Sequence, residues 1–204
     1  MADFNISNSE NAVREMCPHS EFCGGCIYQG IDYADQLAAK EKQVRELLEK
    51  KSVQPDKLDA IEGCPSQYGY RNKMEYTFGD FVKDGEISLG MHRKKNFMSI
   101  VTVDCCQLVD TDFNIILRAV LDFVKARKYP FYHKKTHKGM MRNLIIRKGV
   151  RTEELLINIV TSSEPGFDEE AFLQMLLGLD LNNRIVGILR TVNDNLADAA
   201  NCDE

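Results

Sequence analysis

Three cysteines lie within ten residues of one another near the start of this chain: Cys17, Cys23 and Cys26. A Gly-Gly pair separates the last two, and glycine lets the backbone turn tightly enough to bring both sulfurs to one point. Packing does not explain such a cluster, because free cysteines are usually buried singly as small hydrophobes. Zinc and iron-sulfur clusters normally take four protein ligands. The next dense thiol site is the pair Cys105 and Cys106, so the pattern predicts a metal that ties the N-terminal segment to the middle of the fold.

The residues alone leave the identity of this metal open. The spacing C-x5-C-x2-C differs from the bacterial ferredoxin run, with its two-residue gaps, and from zinc ribbons, which pair two C-x2-C knuckles. Zinc is an alternative, with His19 as a mixed ligand. A lone histidine near a metal is more often a hydrogen-bonding neighbour of the site.

Cysteine usage and hydropathy together indicate a compartment. The seven cysteines are an odd number, and the N-terminus has neither the basic nor the apolar region of a signal peptide. No apolar run is long enough to span a membrane. We therefore expect a cytoplasmic protein with reduced thiols that ligate a metal, and no membrane partner.

The charge distribution is more informative than the net charge of -5. From Glu164 to the end, nine acidic residues face two basic ones, so the rest of the chain is slightly positive. Between His133 and Arg151 there are seven lysines or arginines, two histidines and no acidic residue. Such a stretch can face a phosphate backbone.

Hydrophobic periodicity predicts an α+β domain built on a mainly antiparallel sheet with about three helices. Helices are expected over residues 32–51, around 113–124 and over 168–177; the first carries a narrow apolar stripe that includes Val44 and Leu47. Strands are expected over residues 70–78, 86–91, 99–103, 143–147, 154–160 and 184–192, with Asp84-Gly85 as a hairpin turn. The domain boundaries that follow are a disordered leader (1–12), a cysteine module (13–30), a central domain (31–192) and a final segment (193–204).

Several catalytic signatures are missing from the sequence. It contains no G-x-G-x-x-G or G-x-x-x-x-G-K-[ST] loop after a strand, no nucleophile elbow and no H-E-x-x-H. We therefore assign no catalytic residue to this chain.

Five blocks of sequence carry a resemblance to a known family. In order they are CPHSEFCGGC, YADQLAAKEKQV, YRNKMEYTFG, LGMHRKKNFMSIVTVDCCQL and MRNLIIRKGVRTEELLINIVT. The chain resembles the iron-sulfur-containing RNA uracil-C5 methyltransferases from about Cys17 to its end. These enzymes use S-adenosylmethionine to convert a uridine of 23S ribosomal RNA, or of transfer RNA, into 5-methyluridine.

The resemblance implies a 4Fe-4S cluster on Cys17, Cys23, Cys26 and one cysteine of the later pair. Cys106 is favoured, because it leaves apolar residues where they follow the fourth cysteine of the family. Two departures from the family are expected: no room before Cys17 for the family's small RNA-binding TRAM domain, and absence of the Rossmann-like catalytic domain that binds S-adenosylmethionine. Cys202 does not match the family's nucleophile. The chain is then expected to be an excised region or a truncated gene product, inactive alone, with 193–204 starting the linker to the missing domain.

The resemblance implies that this chain binds and positions RNA for methyl transfer by the missing catalytic domain. The RNA expected is 23S rRNA, with tRNA as an alternative. No protein partner is indicated. The residues expected to contact RNA are basic and fall in four stretches of the chain: Arg71, Lys73, Arg93, Lys94, Lys138, Arg142 and Arg147. Two alternatives come from other classes of protein. One is a stand-alone iron-sulfur electron carrier, and the other is a zinc-bound RNA-binding module without catalysis.

Overall fold

The computed structural model describes residues 15–196. The expected leader (1–12), Cys202 and most of the expected linker lie outside this range. Three helices and six strands follow one another along the chain: α1 (Tyr33–Lys50), β1 (Lys73–Asp80), β2 (Ile87–Arg93), β3 (Asn96–Thr102), α2 (Thr111–Arg127), β4 (Met141–Gly149), β5 (Glu154–Thr161), α3 (Glu169–Leu177) and β6 (Arg184–Val192). All three predicted helices and all six predicted strands are present.

The six strands form one sheet in the order β3-β2-β1-β4-β5-β6. Every neighbouring pair is antiparallel except β5 and β6, which run parallel because α3 connects them as a crossover. This confirms the predicted α+β class with a mainly antiparallel sheet. The predicted turn at Asp84-Gly85 joins β1 to β2, and the positive φ of 61° falls on Asp84 rather than on the glycine.

The hydrophobic core lies between one face of the sheet and helices α2 and α3. Alternate residues of β1 point into it, so that Met74, Tyr76 and Phe78 are buried while Lys73 and Glu75 are exposed. The inward face of α2 is buried along its length, as its period of 3.6 predicts. Helix α3 joins this core where the rings of Phe123 and Phe172 meet edge to face, 5.4 Å apart.

A buried carboxylate connects α2 to the approach of β6. The N-cap of α2 is Asp110, whose side chain accepts from the backbone N–H of Asp112, and Asp112 carries the buried carboxylate. The fully buried carboxylate of Asp112 accepts the backbone and side-chain N–H groups of Asn182 and Asn183. Because a buried carboxylate without partners is costly, these hydrogen bonds fix the loop before β6 on the start of α2.

Helix α1 differs from the prediction that it packs along its apolar stripe. It has no buried residue, and Val44 and Leu47 are 50% and 57% exposed. Periodicity predicts the helix but does not say whether a neighbouring element covers the stripe. In the described chain, α1 is held near its start, where the Tyr33 hydroxyl accepts from the backbone N–H of Cys64 at 2.7 Å.

None of the helices between residues 15 and 196 is both long enough and apolar enough to cross a membrane.

Candidate functional site

Four cysteines from two distant parts of the chain line one small cavity of about 30 Å³. They are Cys17, Cys23 and Cys26 from the N-terminal segment and Cys106 from the loop between β3 and α2. The rest of the lining includes the apolar side chains of Val103 and Leu108. The structure thus brings together the four cysteines that the sequence singled out.

Backbone contacts with the β2–β3 hairpin hold the N-terminal segment in place. Gly24 donates its N–H to the carbonyl of His92 at 2.9 Å, and a Cβ at Gly24 would lie only 2.7 Å from that oxygen. Only glycine allows this close approach. Lys94 donates its backbone N–H to the carbonyl of Phe22 and its ammonium to the carbonyl of Ser20.

The adjacent cysteines Cys105 and Cys106 face different surroundings. The backbone N–H and carbonyl of Cys106 are both hydrogen-bonded to the side-chain amide of Asn114 on α2, at 3.0 and 3.2 Å. Cys105 does not line the cavity, and its sulfur lies 3.0 Å from Nε2 of His19. The geometry therefore groups Cys106 with the three N-terminal cysteines.

Burial and mutual repulsion favour the protonated form of three of the cavity thiols. Burial raises the pKa of Cys23, Cys26 and Cys106, and the neighbouring cysteines raise it further. The charge of Arg71 lowers the pKa of all three, as does the amide of Gly25 for Cys23, but burial is the larger effect. Because metals bind thiolates, ligation here must release protons.

The spacing of the sulfurs bears on the kind of metal. A single tetrahedral zinc ion with Zn–S bonds of about 2.3 Å needs its sulfurs about 3.8 Å apart. Among residues 15–196, the group of three or more potential ligands whose ligand atoms all lie within 4.8 Å of one another is His19, Asp104 and Cys105. Within the same range, no three of the four cavity sulfurs lie within 4.8 Å of one another, which suits a cluster in which each thiolate binds a different iron.

Two further groups beside the cavity fit an anionic sulfur centre. Tyr76 is fully buried, and its hydroxyl has no hydrogen-bond partner among the described atoms. Burial raises the pKa of Tyr76, and the neighbouring Cys106 raises it further, so the hydroxyl stays a donor. Arg71 is the cation whose charge reaches Cys23, Cys26 and Cys106. The residues present therefore fit a cluster held by four thiolates.

The basic residues expected to contact RNA fall into several groups. Lys73 on β1 and Arg147 on β4 are exposed and directly opposite each other in the antiparallel pair, so they share a face of the sheet. Lys73 is also 3.3 Å from the carboxylate of Glu75. Arg71 is half-buried two residues before Lys73. We refer to Arg71, Lys73 and Arg147 as the basic edge.

The other candidates lie elsewhere. Arg93 stacks over the rings of Phe22 and Phe81, with its guanidinium carbon 5.2 and 5.1 Å from their centres. Lys94 is exposed and, as described above, braces the N-terminal segment. Lys138 is exposed in the turn before β4, whereas Arg147 lies near the end of that strand.

Arg142 differs from the expectation of a surface phosphate contact. It is 3% exposed, and its guanidinium donates to the carbonyls of Asn193 and Asn195 at 2.7 and 2.9 Å. The guanidinium also lies 4.1 Å from the centre of the Tyr132 ring. The bulge between Met141 and Asn143 turns this side chain inward, and net charge in a sequence gives no sign of such a bulge.

A second and much larger cavity was missed in the sequence. It measures about 470 Å³ and lies between the loop at 25–31, the first turns of α1 and the segment 64–71. Four of the seven tyrosines of the chain line it: Tyr28, Tyr33, Tyr68 and Tyr70. They come in two close pairs that are 35 residues apart in the sequence, so the sequence does not indicate that they line one cavity.

The chain is similar to proteins that are named RNA methyltransferases. A Clostridium acetobutylicum protein named an uncharacterized RNA methyltransferase is 41% identical over 199 residues, which is 98% of this chain and 44% of that protein. A protein of the same name from Clostridium tetani is 40% identical over 94% of this chain and 42% of its own length. The chain resembles RNA methyltransferases over nearly its whole length. It spans less than half the length of these relatives, and no protein-family model matches it.

A solved structure shares the fold. The tRNA (uracil-54, C5)-methyltransferase of Pyrococcus abyssi, in complex with S-adenosyl-L-homocysteine, superposes with a TM-score of 0.63 at 23% identity. The match covers 87% of this chain and 38% of the Pyrococcus chain. At this identity the likeness shows the fold alone.

Proposed function

We propose that this chain is the cluster-bearing, RNA-holding part of an S-adenosylmethionine-dependent RNA (uracil-C5) methyltransferase. The observation that carries the proposal is the match of nearly the whole chain, at 40–41% identity, to proteins named RNA methyltransferases. The C5 position of uracil as the target comes from the family resemblance, and the structural neighbour, which is named a tRNA (uracil-54, C5)-methyltransferase, shares the fold. Methyl transfer and binding of S-adenosylmethionine are assigned to the part of the whole protein beyond this chain.

The basic edge is the surface proposed to grip RNA. Lys73 and Arg147 lie side by side on one face of the sheet, and Arg71 lies at the approach to β1. Contacts of this kind read the phosphate backbone rather than the bases. Removing a base from its stack costs free energy, and a rigid grip on the flanking backbone lowers the part of that cost due to ordering the RNA.

The cysteine cavity is proposed to hold a 4Fe-4S cluster through Cys17, Cys23, Cys26 and Cys106. When bound, the cluster would supply a fourfold thiolate cross-link between the N-terminal segment and the loop before α2. Asn114 orients the backbone of Cys106, and His92 and Lys94 position the N-terminal segment. These contacts support a structural role for the cluster.

Two RNAs are candidates for the substrate of this protein. The family resemblance favours 23S rRNA, whereas the structural neighbour is named a tRNA methyltransferase. Fragments of both RNAs, compared in one binding assay, distinguish them.

Charge reversal on the basic edge tests the RNA-binding part. The paired change Lys73→Glu and Arg147→Glu should weaken RNA binding by tenfold or more and lower the slope of log K against log salt by about 0.7 per lost contact to a single strand. Lys83→Glu is the matched control, because Lys83 is 90% exposed in the turn at the other end of β1. If Lys83→Glu weakens RNA binding as much as the paired change does, or if neither variant changes RNA affinity, the basic edge is contradicted.

Chemical analysis tests the cluster. Anaerobically purified protein should contain about four irons and four sulfides per chain. Stoichiometric zinc without sulfide would favour the zinc-bound RNA-binding module, and the compact group of His19, Asp104 and Cys105 would then be the first place to look for the ion. A cluster that cycles reversibly in a protein without affinity for RNA would favour the electron carrier.

A further inference from the structure

The large cavity has a lining suited to a nucleotide. Four tyrosines supply aromatic rings, and Lys40 and Arg71 supply positive charge. Among the residues that line it within the described chain, none is acidic. An unstacked nucleotide presents a flat π-face, polar base edges and a negative phosphate. The lining offers a partner for each of these.

Amide side chains complete the set of complementary groups. Gln29, Gln36 and Gln67 line the same cavity, and a glutamine amide carries both donors and acceptors for the edge of a base. Gln36 already donates to the carbonyl of Ile31 at 2.9 Å, so it helps to build the wall. The volume of about 470 Å³ falls within the range of small-ligand sites, about 300–1,000 Å³.

The cavity is built by contacts rather than left between loose segments. The Tyr33 hydroxyl joins α1 to the segment at Cys64, as described above. The Lys40 ammonium lies over the Tyr28 ring, 4.9 Å from its centre, so a base can stack only on the opposite face of that ring. Tyr70 is 50% exposed, so its ring is accessible to an incoming base. Tyr28 and Tyr70 are therefore the stacking candidates, while Tyr33 supports the wall.

We propose that this cavity binds one unstacked nucleotide of single-stranded RNA, with the base stacked on Tyr28 or Tyr70 and the phosphate near Lys40 and Arg71. Proteins that recognise RNA bases do so mainly on single strands, by stacking on aromatic side chains and hydrogen bonding to base edges. This inference rests on the proposed RNA-binding function.

An RNA strand suits the cavity better than a free nucleotide because of what lies beside it. Arg71 lines the cavity and is two residues from Lys73, which is paired with Arg147 on the neighbouring strand. A backbone leaving the cavity past Arg71 therefore meets further positive charge. A free nucleotide in the cavity would not reach the charges of Lys73 and Arg147.

The test compares normal RNA with RNA that lacks bases. A fluorescein-labelled RNA decamer of mixed sequence is titrated with the full chain, beside the same decamer with abasic residues at its four central positions. The wild-type protein should bind the normal decamer about tenfold more tightly than the abasic one. Tyr70→Leu and Tyr28→Leu remove a ring and keep apolar bulk, and at least one of them should abolish most of this difference. Tyr70→Phe and Tyr28→Phe keep the ring and should retain it.

The possible outcomes separate this inference from the proposed function. If the charge reversal at Lys73 and Arg147 weakens binding but neither leucine variant changes the preference for bases, the nucleotide cavity is overturned and RNA binding stands. If the wild-type chain binds neither decamer at low salt, both are overturned. A third outcome is that the two decamers bind with equal affinity and that adenosine monophosphate or S-adenosylmethionine displaces them at micromolar concentration. The ligand of the cavity would then be a free nucleoside or nucleotide, and its assignment to an RNA strand would fail.

Discussion

At the scale of single residues, the pair Cys105 and Cys106 separates two roles that look identical in the sequence. Cys106 lines the cysteine cavity, and Cys105 faces His19. Cys106→Ser should reduce iron and sulfide content severely, because a cluster with three thiolates is readily lost. Cys105→Ser should leave both near the wild-type values. Iron and sulfide analysis with the visible spectrum measures this, and the reverse pattern would make Cys105 the fourth ligand.

Tyr76 provides a second test at this scale, because its buried hydroxyl has no partner among the described atoms. Tyr76→Phe should leave the metal-free protein equally stable or more stable, since an unpaired buried polar group costs on the order of 1 kcal/mol or more. In the iron-loaded protein it should speed cluster loss to a chelator, because the hydroxyl would donate to a sulfur there.

Tyr129→Phe serves as the contrasting variant. The Tyr129 hydroxyl donates to the carbonyl of Gly166 and accepts from the N–H of Asp168. Its loss should lower the free energy of unfolding whether or not metal is bound. If Tyr76→Phe destabilises the metal-free protein as much as Tyr129→Phe does, Tyr76 has a partner in that state.

At the scale of secondary-structure elements, an ion pair joins the cap of α2 to the end of β4. The Lys148 ammonium and the Asp110 carboxylate are in hydrogen-bond contact, and both side chains are about four-fifths buried. Burial alone would raise the pKa of Asp110, but the hydrogen bond and charge of Lys148, with the backbone N–H of Asp112, hold it below its ordinary value. The stabilisation is therefore present above about pH 4 and is lost as pH falls through the lowered pKa.

A double-mutant cycle measures this pair. Asp110→Asn keeps an N-cap of comparable quality, so together with Lys148→Met it isolates the charge. Urea unfolding at pH 7 should give a coupling energy of about 1–3 kcal/mol, and this coupling should decrease as the pH is lowered below about 4. Arg184 and Glu154 form the comparison pair: the arginine is 74% exposed, and a coupling below about 0.5 kcal/mol is expected. A coupling for Asp110 and Lys148 that does not change with pH would contradict the assignment.

Elements with a buried face could be predicted from the sequence, and elements whose role depends on long-range contacts could not. The alternation of Met74, Tyr76 and Phe78 predicts both the strand and its inward face, because successive side chains of a β-strand point to opposite faces of the sheet. The stripe of α1 and the charge of Arg142 were misread for the same reason. Burial of Val44 depends on whether another element covers it, and burial of Arg142 depends on a bulge and on the carbonyls of Asn193 and Asn195.

In the candidate site, too, local features could be predicted from the sequence and features that depend on long-range contacts could not. Clustering of thiols is a local signal, so the N-terminal cysteines were found directly. The choice of Cys106 over Cys105 came from the family resemblance, and geometry now favours the same choice. The tyrosine-lined cavity was missed because its walls come from three segments, and only the fold brings Tyr28 next to Tyr70.

At the scale of the whole molecule, the cysteine cavity and the nucleotide cavity share a wall. Cys26 lines both, and the loop 25–31 leads from it directly into the tyrosine-lined space. Ligation of Cys26 would therefore set the position of Tyr28. Lys73 and Arg147 of the basic edge are positioned by β1 and β4 instead, which lie in the centre of the sheet over the hydrophobic core. Loss of metal should then affect recognition of bases more than recognition of phosphates.

Cys17→Ser tests this coupling, because Cys17 lines the cysteine cavity and not the nucleotide cavity. Its affinity for the normal decamer should fall about tenfold, towards that for the abasic decamer, while affinity for the abasic decamer changes less than twofold. Cys105→Ser is the matched control, because it removes a thiol that lines neither cavity. Equal losses for both decamers would mean that the metal maintains the whole domain rather than the loop at 25–31. Unchanged affinity for both would mean that the loop holds its position without metal, and the two cavities would then be independent.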